Sequence, residues 1–406
     1  MNWKRRYERN WGRLGMKYNW NVKKLSDFVD INPRENLAKG TIAKKISMDM
    51  LQPYNRDVIG YLYEQFKGGT KFRNGDTIMA RITPCLENGK TAKINILEDG
   101  EVGFGSTEYI VFRAKEGVCD SDYLYYLVCS PLVREPAIKS MVGSSGRQRV
   151  QIDILQKLEI LVPVLHLQKQ IGTILKSIDD KILLNNQINN NLELQAQAIF
   201  TNEFLSLDTL PEGWKQASLI DIADYLNGLA MQKYRPIADE SGIPVLKIKE
   251  LRQGCCDDNS ELCSPSIKSN YIIHDGDVIF SWSGSLLVDF WCGGVCGLNQ
   301  HLFKVTSSKY DKWFYYAWTK HHLDRFITIA ADKATTMGHI KRDELAKADV
   351  LIPNEADYNR IGALLQPIYK MIIANRIENK KLAETRDTLL PKLMSGEIDM
   401  SEVDYE

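Results

Sequence analysis

The 406-residue chain has no run of apolar residues approaching the roughly 18–20 that a membrane helix needs, and Lys4-Arg5-Arg6 is followed by more charge and not by the apolar stretch of a secretory signal. Neither a membrane protein nor a secreted one is expected on these grounds, and a cytoplasmic protein is. Net charge is also missing, with 52 basic side chains against 52 acidic. Indiscriminate polyanion binding is therefore disfavoured, while a local basic surface remains open. Cysteine is sparse and irregular: Cys85, Cys119, Cys129, Cys255, Cys256, Cys263, Cys292 and Cys296 read as reduced thiols, and no two C-x-x-C pairs are spaced for zinc. Histidine is rarer still. The adjacent His321 and His322 lie on an expected helix, where neighbours point about 100° apart and do not share a ligand easily.

Catalytic signatures are missing as well. No G-x-x-x-x-G-K-[ST] loop is present to cradle a nucleotide phosphate. Gly103-Phe-Gly105-Ser106 is followed by a strand pattern, not by the helix N-terminus that phosphate binding uses, and is read as a structural turn. Ile31-Asn32-Pro33-Arg34 lacks the second proline and the aromatic with which an adenine methyltransferase stacks a flipped base, and is also read as a turn. With nucleophile, base and metal ligands unaccounted for, a non-catalytic binding protein is expected.

What the sequence does have is itself, twice. A length of 406 residues predicts two or three domains, and self-comparison supplies their plan. Trp20-Asn-Val-Lys-Lys-Leu25-Ser-Asp-Phe28 returns as Trp214-Lys-Gln-Ala-Ser-Leu219-Ile-Asp-Ile222. Asn74-Gly75-Asp76-Thr77-Ile78 returns as Asp275-Gly276-Asp277-Val278-Ile279, and Gly105-Ser-Thr-Glu108-Tyr-Ile-Val-Phe112 is answered by Gly297-Leu-Asn-Gln300-His-Leu-Phe303. Tyr125-Tyr126, Val162-Pro163 and Gln170-Ile171-Gly172 are answered in the same order by Tyr315-Tyr316, Ile352-Pro353 and Arg360-Ile361-Gly362. Each copy is a variable body followed by a constant tail.

The bodies carry short β-rich runs, Asp76–Ile82, Tyr109–Arg113, Asp277–Trp282 and His301–Thr306, each entered through a glycine or polar turn. Asp122–Cys129 and Lys312–His321 are expected helices, with Ser121 and Asp311 as N-caps. The tails have a different texture. From Leu167 to about Asn202 the seam is Ile171, Leu175, Ile178, Ile182, Asn185, Asn189 and Leu192, in alternating steps of four and three. The second tail starts near Tyr358 and runs Ile361, Leu365, Ile368, Ile372, Asn375, Asn379 and Leu382, then Leu389, ahead of Pro391. Two coiled-coil helices with matched polar centres follow. If the copies are related by a pseudo-twofold axis these helices run antiparallel, and facing asparagines fix their register at some cost in stability.

The expected fold class is α+β: two pseudo-twofold-related bodies with mixed or antiparallel sheets, joined by two long antiparallel coiled-coil helices. The expected division is an N-terminal extension (1–15), a first body (16–164), a central helix (165–205), a second body (206–354) and a C-terminal helix with its tail (355–406). Such a plan suits a linear, periodic ligand, above all double-stranded DNA, where protein pseudo-symmetry mirrors two half-sites. A helix of about 35 residues spans about 50 Å, which equals roughly 15 base pairs of duplex.

The string Phe72-Arg-Asn-Gly-Asp-Thr-Ile-Met-Ala-Arg-Ile-Thr-Pro-Cys-Leu-Glu-Asn-Gly-Lys90-Thr-Ala carries a family resemblance. So do Gly105-Ser-Thr-Glu-Tyr-Ile-Val-Phe-Arg113, Leu161-Val-Pro163, Gln168-Lys-Gln-Ile-Gly-Thr-Ile-Leu175 and Asp179-Asp-Lys-Ile182. In these elements and their order the chain resembles the specificity subunits of type I restriction-modification systems, over nearly its whole length. The resemblance implies two target-recognition domains, each reading one part of a bipartite DNA site. It also implies partners: two modification (methyltransferase) subunits docked around the helices, and restriction (translocase/nuclease) subunits. S-adenosylmethionine, and ATP with Mg, are expected on those partners only, and no cofactor on this chain. Family members commonly open a few residues before the first conserved Trp, here Trp20, so residues 1–15 look like an extension and Met16 like an alternative start. The basic residues of the extension are read either as phosphate contacts or as a tail.

The residues expected to meet DNA are argued from chemistry. Arg81, Thr83, Asn88 and Lys90 lie on and after a strand in a polar, glycine-containing loop that fits a groove; simple solvation of the two cations is the other reading. The counterpart in the second half is Trp282, Ser283 and Ser285. Ser106, Thr107 and Glu108 precede a strand, as do Asn299, Gln300 and His301; Asn or Gln pairs with adenine and Glu accepts from cytosine, although turn-capping also accounts for these types. Third come the flexible segments before each Val/Ile-Pro: Arg147, Gln148 and Arg149 in a Gly-Ser run, and Lys333, Thr335, Thr336, His339 and Lys341. Two rivals remain, a solitary methyltransferase, for which a cofactor loop is missing, and a coiled-coil protein-binding scaffold without DNA specificity.

Overall fold

The computed structural model describes residues 19–332, 342–398 and 400. The N-terminal extension expected over 1–15, the start at Met16, and the candidates Lys333, Thr335, Thr336, His339 and Lys341 lie outside the described residues. The chain divides into two compact units, Met1–Asp180 with Ala383–Glu406, and Lys181–Leu382.

In the first unit ten strands follow one another: β1 (Trp20–Lys24), β2 (Val29–Ile31), β3 (Ile42–Ile46), β4 (Leu62–Gln65), β5 (Thr70–Phe72), β6 (Thr77–Ala80), β7 (Thr91–Lys93), β8 (Gly103–Gly105), β9 (Tyr109–Ala114) and β10 (Glu159–Pro163). They form an antiparallel sheet in the order β2-β9-β6-β7, a mixed sheet β4-β3-β8-β5 with β3 and β8 parallel, and a two-stranded ribbon β1-β10. The second unit repeats this plan strand for strand. There β11 (Lys215–Ser218), β12 (Asp224–Asn227), β13 (Ile243–Leu246), β14 (Leu262–Cys263), β15 (Ile272–Ile273), β16 (Val278–Ser281), β17 (Leu287–Phe290), β18 (Cys296–Leu298), β19 (Leu302–Thr306) and β20 (Asp349–Ile352) assemble as β12-β19-β16-β17, β14-β13-β18-β15 and β11-β20. The α+β class and the mixed and antiparallel sheets are as the sequence predicts.

The repeated Gly-Asp turns show why both copies keep them. Gly75 and Gly276 sit at φ 87° and 83°, the left-handed region that residues with a Cβ avoid. The aspartates that follow then clamp the turn: Asp76 accepts the Arg73 amide and a two-pronged ion pair from Arg113, and Asp277 accepts the His274 amide and pairs with Lys304 at 2.7 Å. Both turns feed fully buried strands, β6 and β16, at the centre of their sheets.

The ladders correct the sequence register by one residue. Ala80 pairs with Tyr109 and Ser281 with Leu302, so Tyr109 corresponds to Leu302 and Glu108 to His301, not to Gln300. Gly103–Gly105 is also corrected, from turn to strand. It is the buried β8, and a Cβ on Gly105 would lie 2.4 Å from the Ile46 carbonyl oxygen of the parallel neighbour, so glycine is there for close strand approach. The cap of helix Ser121–Cys129 is Asp120, not Ser121, since the Asp120 carboxylate accepts the amides of Asp122 and Tyr123 at 3.0 and 2.9 Å. Asp311 does occupy the N-cap position of Lys312–His321, without a side-chain bond to the helix.

Two long helices, Leu165–Phe200 and Glu355–Met394, contribute to both units. The second runs three residues past Pro391, where the sequence suggested an end; a proline's lost amide and bulk did not outweigh the packing of that last turn. Leu393 and Met394, together with Met400, are buried in the core of the first unit with Ile171 and Leu175, and Leu389 and Leu390 pack against it. Asp179 there is paired with Arg386 at 2.7 Å and accepts the Tyr126 hydroxyl at 2.6 Å, so a buried carboxylate is fully satisfied.

In the second unit the helices run antiparallel, and the asparagines meet. Asn375 donates to Asn189 at 2.9 Å, and Asn185 donates to Asn379 at 2.8 Å and to Glu378 at 2.7 Å. Of the seam residues, Ile361, Leu365 and Ile372 are buried in that unit's core, with Leu192 and Ile368 packed against it; Ile178, Ile182 and Leu382 are half-buried. The repeated tryptophan anchors the entry strand of this unit: buried Trp214 donates its indole N–H to Asp357 at 3.0 Å, and Phe204 lies 5.7 Å from its ring.

Candidate nucleic-acid interface

The three candidate segments of the first unit, far apart in sequence, converge at the ends of β6 and β9. The Arg81 amide donates to the Glu108 carbonyl at 2.9 Å, the Val150 amide to the Arg81 carbonyl at 2.9 Å, and the Thr83 amide to the Gln148 carbonyl at 3.1 Å. Arg149 is thereby laid alongside Ile82, and it bonds back to Val142 in both directions. The Gly-Ser run read as a flexible segment is thus the tip of a hairpin. Ser144, Ser145 and Arg147 project at that tip, exposed, with Gln148 half-buried at its base.

Side chains tighten the same cluster. Arg149 donates through Nε to both Glu108 oxygens at 3.0 Å and through Nη2 to Oε1 at 2.7 Å. Arg81 stands on the other side, its Nε 4.0 Å from Glu108 Oε2. That is close enough for attraction and too long for a hydrogen bond. The Arg149 hydrogen bonds hold the Glu108 carboxyl below the usual carboxylate range against a smaller opposing effect of burial, so Glu108 is an anion and an acceptor at neutral pH.

The rest of the 83–90 loop is braced from below. Lys90 donates to the Met48 carbonyl at 2.8 Å, and its ammonium is committed to the fold. Arg134, outside the candidate segments, donates to the Glu87 carbonyl at 2.7 Å and lies over the Tyr54 ring at 5.3 Å. Tyr54 in turn donates its amide to Gly89. Asn88 and Thr107 are exposed, while the Ser106 hydroxyl accepts the Glu108 amide at 3.1 Å, the turn-capping alternative.

Among the described residues, the second unit builds the corresponding tip from indole, hydroxyl, amide and imidazole groups. Trp282, half-buried, stacks on Phe303 with centroids 5.5 Å apart and donates its indole N–H to Asn227 at 3.1 Å. His301 Nδ1 is 3.1 Å from the Ser283 hydroxyl, and its Nε2 is 3.3 Å from the Gln300 amide nitrogen. Asn299 is buried, with its side-chain oxygen accepting the His301 amide at 3.2 Å. Ser285 serves the turn through its carbonyl, which accepts the Ser281 hydroxyl at 2.9 Å. The structure therefore brings together Arg81, Glu108 and Arg149 in one unit and Trp282, Ser283, Gln300 and His301 in the other.

Among the described residues no group of His, Cys, Asp and Glu is arranged to hold a metal ion, and no helix is long and apolar enough to cross a membrane. Burial pushes the thiols of Cys119 and Cys129 up to about 12 and those of Cys263 and Cys292 to about 11, the behaviour of inert core cysteines.

Comparison with known proteins agrees with this architecture. The family model described as type I restriction modification DNA specificity domain matches twice, over residues 17–194 and 211–384. The type I restriction enzyme MjaIX specificity subunit of Methanocaldococcus jannaschii is 27% identical over 314 residues, covering 71% of each chain. The HindI specificity subunit of Haemophilus influenzae is 20% identical over 403 residues, covering 80% of this chain and 87% of its own. The crystal structure of the type I restriction-modification S subunit from M. genitalium superposes with a TM-score of 0.54 at 13% identity, covering 94% of this chain and 97% of that one, and supports the fold. With both halves of the framework matched, this chain belongs to the type I restriction modification DNA specificity family.

Proposed function

We propose that this chain is the sequence-reading subunit of a type I restriction-modification complex, in which each unit reads one part of a bipartite DNA target. The observation that carries this reading is the repetition of one sheet framework with chemically different tips. A framework kept twice supplies the geometry of two half-sites, and tips that differ supply two readings. The paired helices set the unspecified spacer and offer docking surfaces to two modification subunits, with restriction subunits joining the assembly. The chain itself is non-catalytic in this reading. S-adenosylmethionine, and ATP with Mg, belong to the partners, and the complex works in the cytoplasm. The domain division follows the repeat: an N-terminal extension over 1–15, recognition domains over 16–164 and 206–354, a central helix over 165–205, and a C-terminal helix with its tail over 355–406. A coiled-coil scaffold without DNA specificity gains nothing from tips built on strand ends.

The test is to co-express the chain with the modification subunit encoded beside it and map methylated adenines across the host genome by single-molecule sequencing. A split motif methylated in both parts is expected. Modified adenines outside any split motif, or a chain that retains no methyltransferase, would refute the reading.

A further inference from the structure

The internal repeat is a control within one molecule. β6 and β16, and β9 and β19, hold the same places in their sheets, and their ladders align Arg81 with Trp282 and Glu108 with His301. The framework stays buried across the pair, Ile78 with Ile279 and Phe112 with Val305. One residue beyond the strand ends, Arg81 and Glu108 of the first unit are replaced by Trp282 and His301 in the second. A requirement of the fold would recur in both copies, as the Gly-Asp turns do; among the described residues the Arg81–Glu108 pair does not, since Trp282 and His301 take those two places.

The cluster is also unbalanced. One carboxylate faces two guanidiniums, and Arg149 already occupies both of its oxygens. Arg81 Nε is left buried with no hydrogen-bond partner, and so is the Thr83 hydroxyl two residues on. An ionic bolt that only held the tip together would need one cation. The tip instead carries an excess positive charge and a donor without an acceptor, next to exposed Asn88, Thr107 and Arg147.

We propose that Arg81, Glu108 and Arg149 form a specificity-determining cluster that reads a G·C base pair in the half-site taken by the first unit. This rests on the DNA-reading function above. In the major groove guanine offers N7 and O6 to a guanidinium fork, while its partner cytosine offers the N4 amino group to a carboxylate. A guanidinium and a carboxylate held side by side match the two members of that one pair, and neither charge is left alone when water is displaced. An A·T pair sets the adenine N6 donor against the guanidinium and gives the carboxylate nothing to accept from thymine O4. Because Arg149 and Glu108 are already aligned in the free protein, little side-chain ordering remains for binding.

The experiment uses the complex co-expressed with its modification subunit. Its motif is mapped genome-wide, and bound duplexes are selected from a random pool, for the parent chain and for Glu108→Gln, Arg149→Lys and Arg81→Gln. Thermal melting of each complex identifies any variant that misfolds. Arg149→Lys keeps the charge and loses the fork, so it separates base reading from phosphate attraction even if another variant fails to fold. The expected result is a parent half-site containing a G·C position at which Arg149→Lys lowers discrimination about 10- to 100-fold, with Glu108→Gln relaxing the same position and the other half-site unchanged. Uniform weakening on all sequences, or full discrimination retained by Arg149→Lys, would overturn the cluster's role while leaving the split motif in place. A parent complex with no split motif would overturn the DNA-reading function itself.

Discussion

The asparagine pair in the helix seam gives a prediction whose sign depends on how many partners are removed. Asn189 and Asn375 are 5% and 9% exposed, and the bond between them measures 2.9 Å. Replacing Asn189 by Leu leaves the Asn375 amide buried without its acceptor, a cost of about 1–3 kcal/mol. Replacing both by Leu removes donor and acceptor together and restores the apolar heptad pattern, which is expected to be neutral or stabilising. For a unit of about 200 residues, with a shift of roughly 2–4 °C per kcal/mol, the single variants should melt about 2–12 °C lower and the double variant should regain most of that loss. The check is a double-mutant cycle on the full chain, followed by circular dichroism. If the double variant loses as much as the two singles summed, the pair is uncoupled and the account of the seam is wrong.

Three further predictions follow from other contacts. Arg386→Ala strips the Asp179 carboxylate of its guanidinium in a buried site, so the first unit should lose about 3–5 kcal/mol, read by denaturant titration; a loss below 1 kcal/mol would show that water relieves the charge. Burial holds the His322 imidazole below its ordinary value, and its Nε2–H donates to the Asp349 carbonyl at 2.8 Å. The unfolded chain therefore takes up the proton first on acidification, so the second unit's stability should be level above about pH 6.5 and fall as pH drops through the lowered native value. Melting from pH 8 to pH 5 checks this, with His322→Gln expected to flatten the slope. Finally, a heptad inserted in the central helix, with a matching heptad in its antiparallel partner to keep the asparagines in register, adds about 10 Å. The unspecified gap of the methylated motif should grow by about three base pairs at 3.4 Å each, with both half-sites retained; a change in either half-site would contradict the division into readers and spacer.

The repeat made the framework legible before any coordinates. Local signals sufficed where one rule dominated: the 3.5-residue period and matched asparagines of the two helices, and the Gly-Asp turns into β6 and β16. They failed where tertiary packing outvoted them. β8 looked like a turn because glycine suits turns, yet here it suits close strand approach. The C-terminal helix passes Pro391 because its last turn is buried. The one-residue slip at Glu108 arose because Gly105 and Gly297 are the same residue type at different ladder positions. The candidate segments of the first unit were each visible in sequence, but their meeting around Glu108 was not, since it is made by main-chain bonds between residues 27 to 69 apart and by side-chain bonds between residues 41 apart. Arg134 bracing the loop carried no sequence signal at all, because a lone arginine on a short helix is ordinarily a solvated one.

The discontinuity of the first unit has a consequence for how the protein is made. Its core is closed by Leu393, Met394 and Met400 from the far end of the chain, and Gly396 lies against Trp20. A ribosome that has finished Asp180 must still translate the whole of Lys181–Leu382 before those residues exist. At roughly 5–20 residues per second that interval is about 10–40 s. Throughout it the nascent first half carries an open apolar socket, whereas the second unit, continuous in sequence, has every residue it needs as soon as its last helix emerges. The half synthesised first is thus the half completed last, and termination shortly after Leu382 would spare the second unit and leave the first one unfinished.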